Sequence, residues 1–355
     1  MMKKKLLSIC CLGYKHCDFL SDNIESITMI DYDNIEIIVV DDGSSDGSVE
    51  KLNQIKQEIK LPMTIIAQEN TGNVGKNFNT AIKYAKGELI TFISLDDVFN
   101  ASVVNQQIER MNSKDDLCFI ASAKAVSINN DGYITTEVQP LSLFKEDVSN
   151  ITLDKLLELE YHEFGSFYIQ GAIFKKELID AIEGFDEDQT GDDIVLRTKL
   201  FRYMLDNQLN HFQIIKDNSV FYRLHENNAH KNSIRQVKII SEYLDKYWTD
   251  RKPPKLLKDW LLYAISTTDT QKVMYFISDN DYISSLIEGD IELKKILARK
   301  NNFLLQFLRK KKRNWDGSTD ITYFNILTYK RKPKNSNTHI HITNTHWKDN
   351  KRATS

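Results

Sequence analysis

Residues 35–48 read IEIIVVDDGSSDGS, an apolar, β-branched run that breaks into two aspartates and a turn rich in glycine and serine. A run of this length and composition predicts a buried strand, and Gly43 permits the tight turn that ends it. Upstream lie an apolar run, Leu6–Leu12, and a helical stretch, Asp18–Met29; downstream follow a helix Val49–Ile59, a strand Met63–Ala67, a helix Gly75–Ala85 and a strand Leu89–Ser94. Regular strand–helix alternation predicts an α/β fold with a doubly wound, mainly parallel sheet. Ligands of such sheets bind beyond the carboxyl ends of the strands, so the polar residues just after each strand are the ones to inspect. From about residue 115 the alternation loosens, with a strand candidate at 117–127, a hairpin-like NNDGYI and a polar insertion; beyond Ser233 the pattern turns helical.

The chain has 355 residues, 41% of them hydrophobic and 27% charged, which predicts a folded core and allows one large domain with a smaller appendage. A formal net charge of -3 gives no overall attraction for nucleic acid, and no nucleic-acid partner is expected. Cys10, Cys11, Cys17 and Cys118 show no metal-ligand spacing and read as reduced thiols of a cytoplasmic protein. The start MMKKKLLSICCLGY imitates a signal peptide but runs straight into the first strand, and no apolar stretch is long enough to span a membrane.

Four polar clusters carry the candidate chemistry. Asp41 and Asp42 close the strand IEIIVV, where a carboxylate is costly to bury unless it is solvated or holds something; the competing reading is a turn before a helix that Asp46 or Ser48 caps. Asp96 and Asp97 close the strand ELITFI within SLDD, and adjacent carboxylates with hard oxygen atoms suit Mg2+ or Mn2+. Asp192 and Asp193 open the amphipathic stretch IVLRTKLFRYML, either as ordinary helix-start residues or with one of them as a general base. His225, in YRLH, follows a strand candidate at a point from which it could return to the metal site. His16, His162, His230, His339, His341 and His346 have no comparable context and read as structural or incidental.

The series IEIIVVDDGSSDGS, ENTGNVGKNFNTAIKYAKGELITFISLDD, IEGFDED, GDDIVL and FYRLHENNAHKN resembles the inverting family 2 glycosyltransferases of the GT-A fold that build bacterial surface polysaccharides. The resemblance covers about residues 5 to 232 and implies a nucleotide-sugar donor, a UDP-sugar by preference, with Mn2+ or Mg2+ as cofactor. It implies nucleotide-sugar contacts from Tyr14, Asp41, Asp42, Lys76 and Asp96, metal ligation by Asp97 ahead of Asp96, with His225, and a base at Asp193 with Asp192 beside it. Three positions depart from the family pattern: Leu12-Gly13-Tyr14-Lys15 stands for Pro-x-Tyr-Asn, Ser94 for a first aspartate, and Asp192 for a frequent glutamate.

The expected organisation is a GT-A-like domain over residues 1–232, a helical region over 233–330 and a disordered basic tail over 331–355. In IELKKILARKNNFLLQFLRKKKRNW, Leu293, Ile296, Leu297, Leu304, Phe307 and Leu308 share a helical face beside Lys294, Lys295, Arg299 and residues 309–313. Such a helix either lies in an anionic membrane interface, at the inner face of the cytoplasmic membrane, or packs on the catalytic domain. The acceptor is then a glycan or a lipid-linked molecule. The rival functions are a nucleotidyltransferase, for which CCLGYKH is a poor phosphate loop, a phospho-receiver module, whose acid pair follows the first strand, and a degenerate transferase kept as an assembly partner.

Overall fold

Strand β1 (Leu7–Gly13) is buried along its whole length, with Cys10 and Leu12 in one apolar cluster and Leu7, Ile9 and Cys11 in another. Side chains alternate across a strand, so a continuous apolar run feeds both faces of a sheet that is covered on both sides. In the computed structural model, which describes residues 4–135, 143, 147–226, 228, 232–308, 310–313, 319–323, 327–331 and 343–344, β1 is the centre of the first half of the sheet.

The alternation continues through α1 (Leu20–Thr28), β2 (Ile35–Asp41), α2 (Ser48–Glu58), β3 (Met63–Ala67), α3 (Val74–Tyr84) and β4 (Leu89–Ser94). Helix α1 turns Leu20, Ile24 and Ile27 inward at spacings of one helical turn, and α3 does the same with Phe78, Ala81 and Ile82 on the opposite face. Each large apolar side chain so buried contributes roughly 1.5–3 kcal/mol. The four strands run parallel in the order β3-β2-β1-β4, with Leu12 level with Val40 and Ser94, and Gly13 level with Asp41. That register brings both acid pairs to one edge of the sheet. They lie two strand spacings apart, about 10 Å.

Next come β5 (Val98–Phe99), α4 (Ala101–Ser113), β6 (Phe119–Ser122), β7 (Val126–Ile128), α5 (Leu153–His162), β8 (Ile173–Lys175), α6 (Lys176–Ala181), α7 (Asp193–Asp206), β9 (Phe212–Ile215) and β10 (Val220–Arg223). The seven-stranded sheet is completed by β8, β6 and β9, with β8 antiparallel to both β4 and β6. The stretch expected as one strand at 117–127 is divided between this sheet and a small second one of order β5-β10-β7. The second sheet decides the site, because β10 pairs with β5 directly after Asp97.

Helices α8 (Ser233–Tyr247) and α9 (Lys255–Thr267) follow. The compact units are residues 1–261 and 262–355, so the expected boundary at residue 232 moves past α8. The reason is packing: Val237, Ile240, Tyr243 and Leu244 of α8 are buried, and the hydroxyls of Tyr243 and Thr198 are 2.8 Å apart. Cys10, Cys11 and Cys118 are buried free thiols, and burial pushes each above the ordinary thiol range.

The second unit contains α10 (Thr270–Ser278), α11 (Asp281–Gly289) and α12 (Ile291–Leu308), followed by an antiparallel sheet of β11 (Lys310–Arg313), β12 (Thr319–Tyr323), β13 (Leu327–Arg331) and β14 (Thr343–Asn344). Two expectations are corrected here. The helical region ends at Leu308, so the basic run Lys310–Arg313 is a strand and does not extend the helix; TDITY, rich in β-branched and aromatic residues, pairs with it. The expected tail contains Thr343–Asn344 paired with β13, while 332–342 and 345–355, including His339, His341 and His346, lie outside the described residues. Leu293 and Leu297 of the proposed membrane face are buried within this unit and are taken up by packing, whereas Lys294, Lys295 and Arg299 are exposed. Among the described residues no helix is long and apolar enough to cross a membrane.

Candidate active site

At the end of β2, Asp42 accepts the Thr71 N–H at 2.7 Å and the Gly72 N–H at 3.1 Å, which ties the loop before α3 to the strand end. Asp41 accepts the Ser44 N–H at 2.8 Å through Oδ1, while its buried Oδ2 has no hydrogen-bond partner among the described residues. The unpartnered acceptor at this strand end is therefore on Asp41, buried as it is, and Asp42 shapes the loop. Gly43, at φ +76°, closes the turn with its Cα against Asn70; a Cβ there would stand 2.7 Å from the Asn70 nitrogen. Tyr14 is 44% exposed in the neighbouring loop after β1, with the Lys15 ammonium 5.1 Å from its ring centre. Lys76 is exposed on the first turn of α3, whose start is capped by Asn73 accepting the Lys76 N–H at 2.8 Å.

The second acid pair divides its roles. Asp97 is wholly buried, and its Oδ1 accepts the Arg223 N–H at 2.8 Å; burial and then the adjacent Asp96 charge push it well above the usual carboxylate range. Asp96 points to two histidines. Its Oδ2 is 2.9 Å from His225 Nε2, and its Oδ1 is 3.8 Å from His16 Nδ1. Burial raises Asp96, but the His225 hydrogen bond, His16 and Ser94 outweigh it and hold the carboxyl below its ordinary value. Burial lowers His16 against the pull of Asp96 and so favours the neutral imidazole, the form that binds a metal.

Asp96, His16 and His225 each offer a ligand atom, all within 4.8 Å of one another. The residues fit a divalent cation on a specific observation: Asp96 Oδ1 and His16 Nδ1 are buried, face each other and have no hydrogen-bond partner among the described residues. Two expectations change as a result. Asp97, expected first among the ligands, is turned inward to hold β10, while Asp96 and His225, expected beside it, lie together; and His16, read as incidental, belongs to the group. His230 lies outside the described residues.

Arg223 organises this region and was not singled out in the sequence. Fully buried, it donates from Nε to the Asp96 carbonyl at 2.8 Å, from Nη1 to the Asn129 and Asn130 carbonyls, and from Nη2 to Asp22 at 2.8 Å. A charged residue inside the strand VFYR was its only sequence signal.

Asp193 is the first residue of α7, with Asp192 at the preceding position making no side-chain cap bond. The Asp193 side chain keeps 34% of its surface open, so it is accessible. Burial of the remainder and the neighbouring Asp192 charge, opposed by Arg197, push it up to about 7. Arg197, one turn later, is 3.5 Å from Asp193 and is anchored by Glu160 at 2.8 and 3.0 Å and by the Phe167 carbonyl at 2.7 Å; Ser166 also donates to Glu160. The Asp193 to Arg197 spacing on one helix was the legible sign of this arrangement. Tyr168, stacked on Tyr222 with centroids 6.3 Å apart, feels both acid groups: burial, then Asp193 and then Asp97, push its hydroxyl up to about 12.

Residues 8–181 match the model of the glycosyl transferase family 2. They form a family 2 glycosyl transferase domain. The domain match spans Tyr14, His16, Asp41, Asp42, Lys76, Asp96 and Asp97, while Asp192, Asp193 and His225 follow it. Glycosyltransferase GlyG of Streptococcus pneumoniae is 32% identical over 111 residues, an alignment spanning 31% of this chain and 36% of GlyG. An uncharacterized glycosyltransferase of Rickettsia typhi is 26% identical over 338 residues, covering 92% of this chain and 96% of the relative. Among solved structures, Staphylococcus aureus TarS 1-349 in complex with UDP-GlcNAc superposes with a TM-score of 0.52 at 14% identity, covering 90% of this chain and 97% of TarS. At that identity the likeness concerns the fold, and it places the family 2 domain in the GT-A architecture that its sequence resembles.

Proposed function

We propose that this chain is an inverting glycosyltransferase that moves a sugar from a nucleoside diphosphate sugar, a UDP-sugar in preference, onto a hydroxyl of a glycan or lipid-linked acceptor in surface-polysaccharide synthesis. The observation that carries this reading is an accessible carboxyl pushed up to about 7 at the start of α7, together with a buried Asp96–His225 pair at the carboxyl edge of the same sheet. A base poised near neutrality and a cation site near the leaving group are the two parts an in-line displacement needs.

In this reading Asp193 accepts the proton of the acceptor hydroxyl as its oxygen attacks the anomeric carbon from the face opposite the diphosphate. The bond to the diphosphate breaks with its electron pair leaving on the phosphate oxygen, and the sugar is delivered with inversion. Arg197, itself held by Glu160, fixes the Asp193 carboxyl and opposes its protonation. Tyr14, Asp41, Asp42 and Lys76 bind the donor, with Tyr14 and Lys76 the exposed members of the set. Asp96 and His225 would hold a divalent cation, which would supply charge neutralisation at the departing diphosphate. Exposed Lys294, Lys295 and Arg299 give the second unit an electrostatic approach to an anionic membrane surface bearing a lipid-linked acceptor.

The test is transfer from a panel of nucleotide sugars with Mn2+, followed by a pH profile for the active donor. Asp193 must be ionised to accept a proton, so kcat/KM should climb about tenfold per pH unit below about 7 and level off above it. Nucleotide sugars that stabilise the fold in thermal shift yet give no transfer would refute the enzyme reading and leave a binding protein.

A further inference from the structure

We infer that His16 is a third protein ligand that, with Asp96 and His225, makes a two-imidazole, one-carboxylate site which takes up a divalent transition ion before any nucleotide arrives and discriminates against Mg2+. The inference rests on the reading of Asp96 and His225 as a cation site and concerns what completes the site, which ion it takes and when.

His16 lies in the loop between β1 and α1, where its carbonyl accepts the Phe19 N–H at 2.9 Å. Its ring packs edge-on against His225 at 6.2 Å between centroids and against Phe19 at 6.4 Å, while Phe19 in turn meets His225 at 5.4 Å and carries the Arg223 guanidinium at 4.8 Å. The imidazole is thus packed in place, with its side chain 16% exposed. Its Nδ1 faces the Asp96 oxygen that His225 leaves unengaged, across 3.8 Å. That separation is too long for a hydrogen bond, and leaving two buried polar atoms unsatisfied costs on the order of 1–3 kcal/mol each. An ion bonded to nitrogen and oxygen at about 2.0–2.2 Å satisfies both atoms at once.

The composition of the set decides the ion. Mg2+ demands oxygen ligands in near-ideal octahedral geometry, whereas imidazole suits first-row transition ions, and two histidines with one carboxylate would leave room on such an ion for diphosphate oxygens. The timing follows from the same count. Three ligands already gathered by packing hold an ion without help from the donor phosphates.

The full-length, metal-free protein would be titrated with Co2+ alone, without nucleotide, following the visible absorption of the bound ion and, in parallel, calorimetry with Mn2+ and Mg2+. Stoichiometric Co2+ uptake, little heat from Mg2+, and weakening of Co2+ binding in His16→Gln by at least the roughly 10- to 100-fold that loss of an outer-shell partner costs are the expected results. His16→Asn should behave alike, and unchanged circular dichroism in both variants separates ligand loss from misfolding. His162→Gln, altering a histidine 58% exposed on α5, should bind Co2+ as the native protein does. Equal Co2+ affinity in native and His16→Gln protein, uptake that requires UDP, or equal binding of Mg2+ would each overturn the inference. Cation-dependent transfer with uptake only alongside UDP would sink this inference and leave the proposed function standing. Co2+ bound through His16 in a protein that transfers no sugar would do the reverse.

Discussion

Asp193→Asn is expected to lower turnover by roughly 100- to 10,000-fold while donor affinity stays near that of the native protein. The amide is nearly isosteric and keeps a polar start to α7, but it cannot take a proton. A general base works on the acceptor hydroxyl in the transition state and need not touch the nucleotide, so binding and chemistry should separate. The environment sharpens the expectation: Arg197 is locked by two bonds to the buried Glu160 and stands 3.5 Å from Asp193, so the amide loses a charge-assisted contact but the scaffold around it is retained. Asp192→Asn should do less. Its carboxyl, raised by burial, stands one residue earlier and makes no side-chain cap bond. Calorimetric donor affinity measured beside initial transfer rate decides the matter. A collapse in Asp192→Asn with near-normal turnover in Asp193→Asn reverses the assignment, and normal turnover in both removes this helix start from the mechanism.

Asp96→Asn should abolish the cation's stimulation of donor binding and reduce turnover by about 100- to 1,000-fold, the equivalent of several kcal/mol of charge stabilisation at the leaving group. The amide oxygen retains an acceptor toward His225 but carries no charge, and is therefore a weaker ligand for a divalent cation than the carboxylate. The contrast with Asp97→Asn carries the test. Asp97 Oδ1 accepts the Arg223 N–H inside the protein, and an asparagine keeps that acceptor, so the variant should fold and retain cation-dependent binding. Burial and the Asp96 charge already drive Asp97 toward its neutral form, which an amide imitates. Donor affinity with and without Mn2+ for the two variants, with melting temperatures alongside, gives the readout. A folded Asp97→Asn protein blind to Mn2+, beside an Asp96→Asn protein that still responds, would return the ligand role to Asp97.

The half of the sheet nearest the N-terminus was legible in the sequence because its signals are local. Apolar strands, amphipathic helices and the turns at Gly43 and Asn73 state their structure within a few residues, and a parallel sheet with helices on both faces is what such alternation can build. With that fold, Asp41, Asp42, Asp96 and Asp97 had to arrive at one sheet edge, since register places the ends of β2, β1 and β4 side by side. The helix that Asp193 opens was legible too, although α7 is buried on nearly every side, from Ile194 through Thr198 and again at Leu200, Phe201 and Met204, where the sequence read as amphipathic.

What each neighbour in an acid pair does was decided only by tertiary structure. Asp96 and Asp97 are chemically identical and adjacent, and nothing local tells which one turns inward. The choice is made by β10, which arrives from 126 residues away and offers its Arg223 N–H to Asp97, leaving Asp96 to face His225 and His16. His16 looked incidental because its partners are distant in sequence, and Arg223 and Glu160 are tolerated as buried charges only because hydrogen bonds from remote elements satisfy them. The end of α12 at Leu308 has the same character: a basic amphipathic run is compatible with helix or strand, and pairing with Thr319–Tyr323 makes Lys310–Arg313 a strand. Local sequence sets what a segment is able to form; long-range pairing and the need to satisfy buried polar groups determine which of the possible arrangements is built.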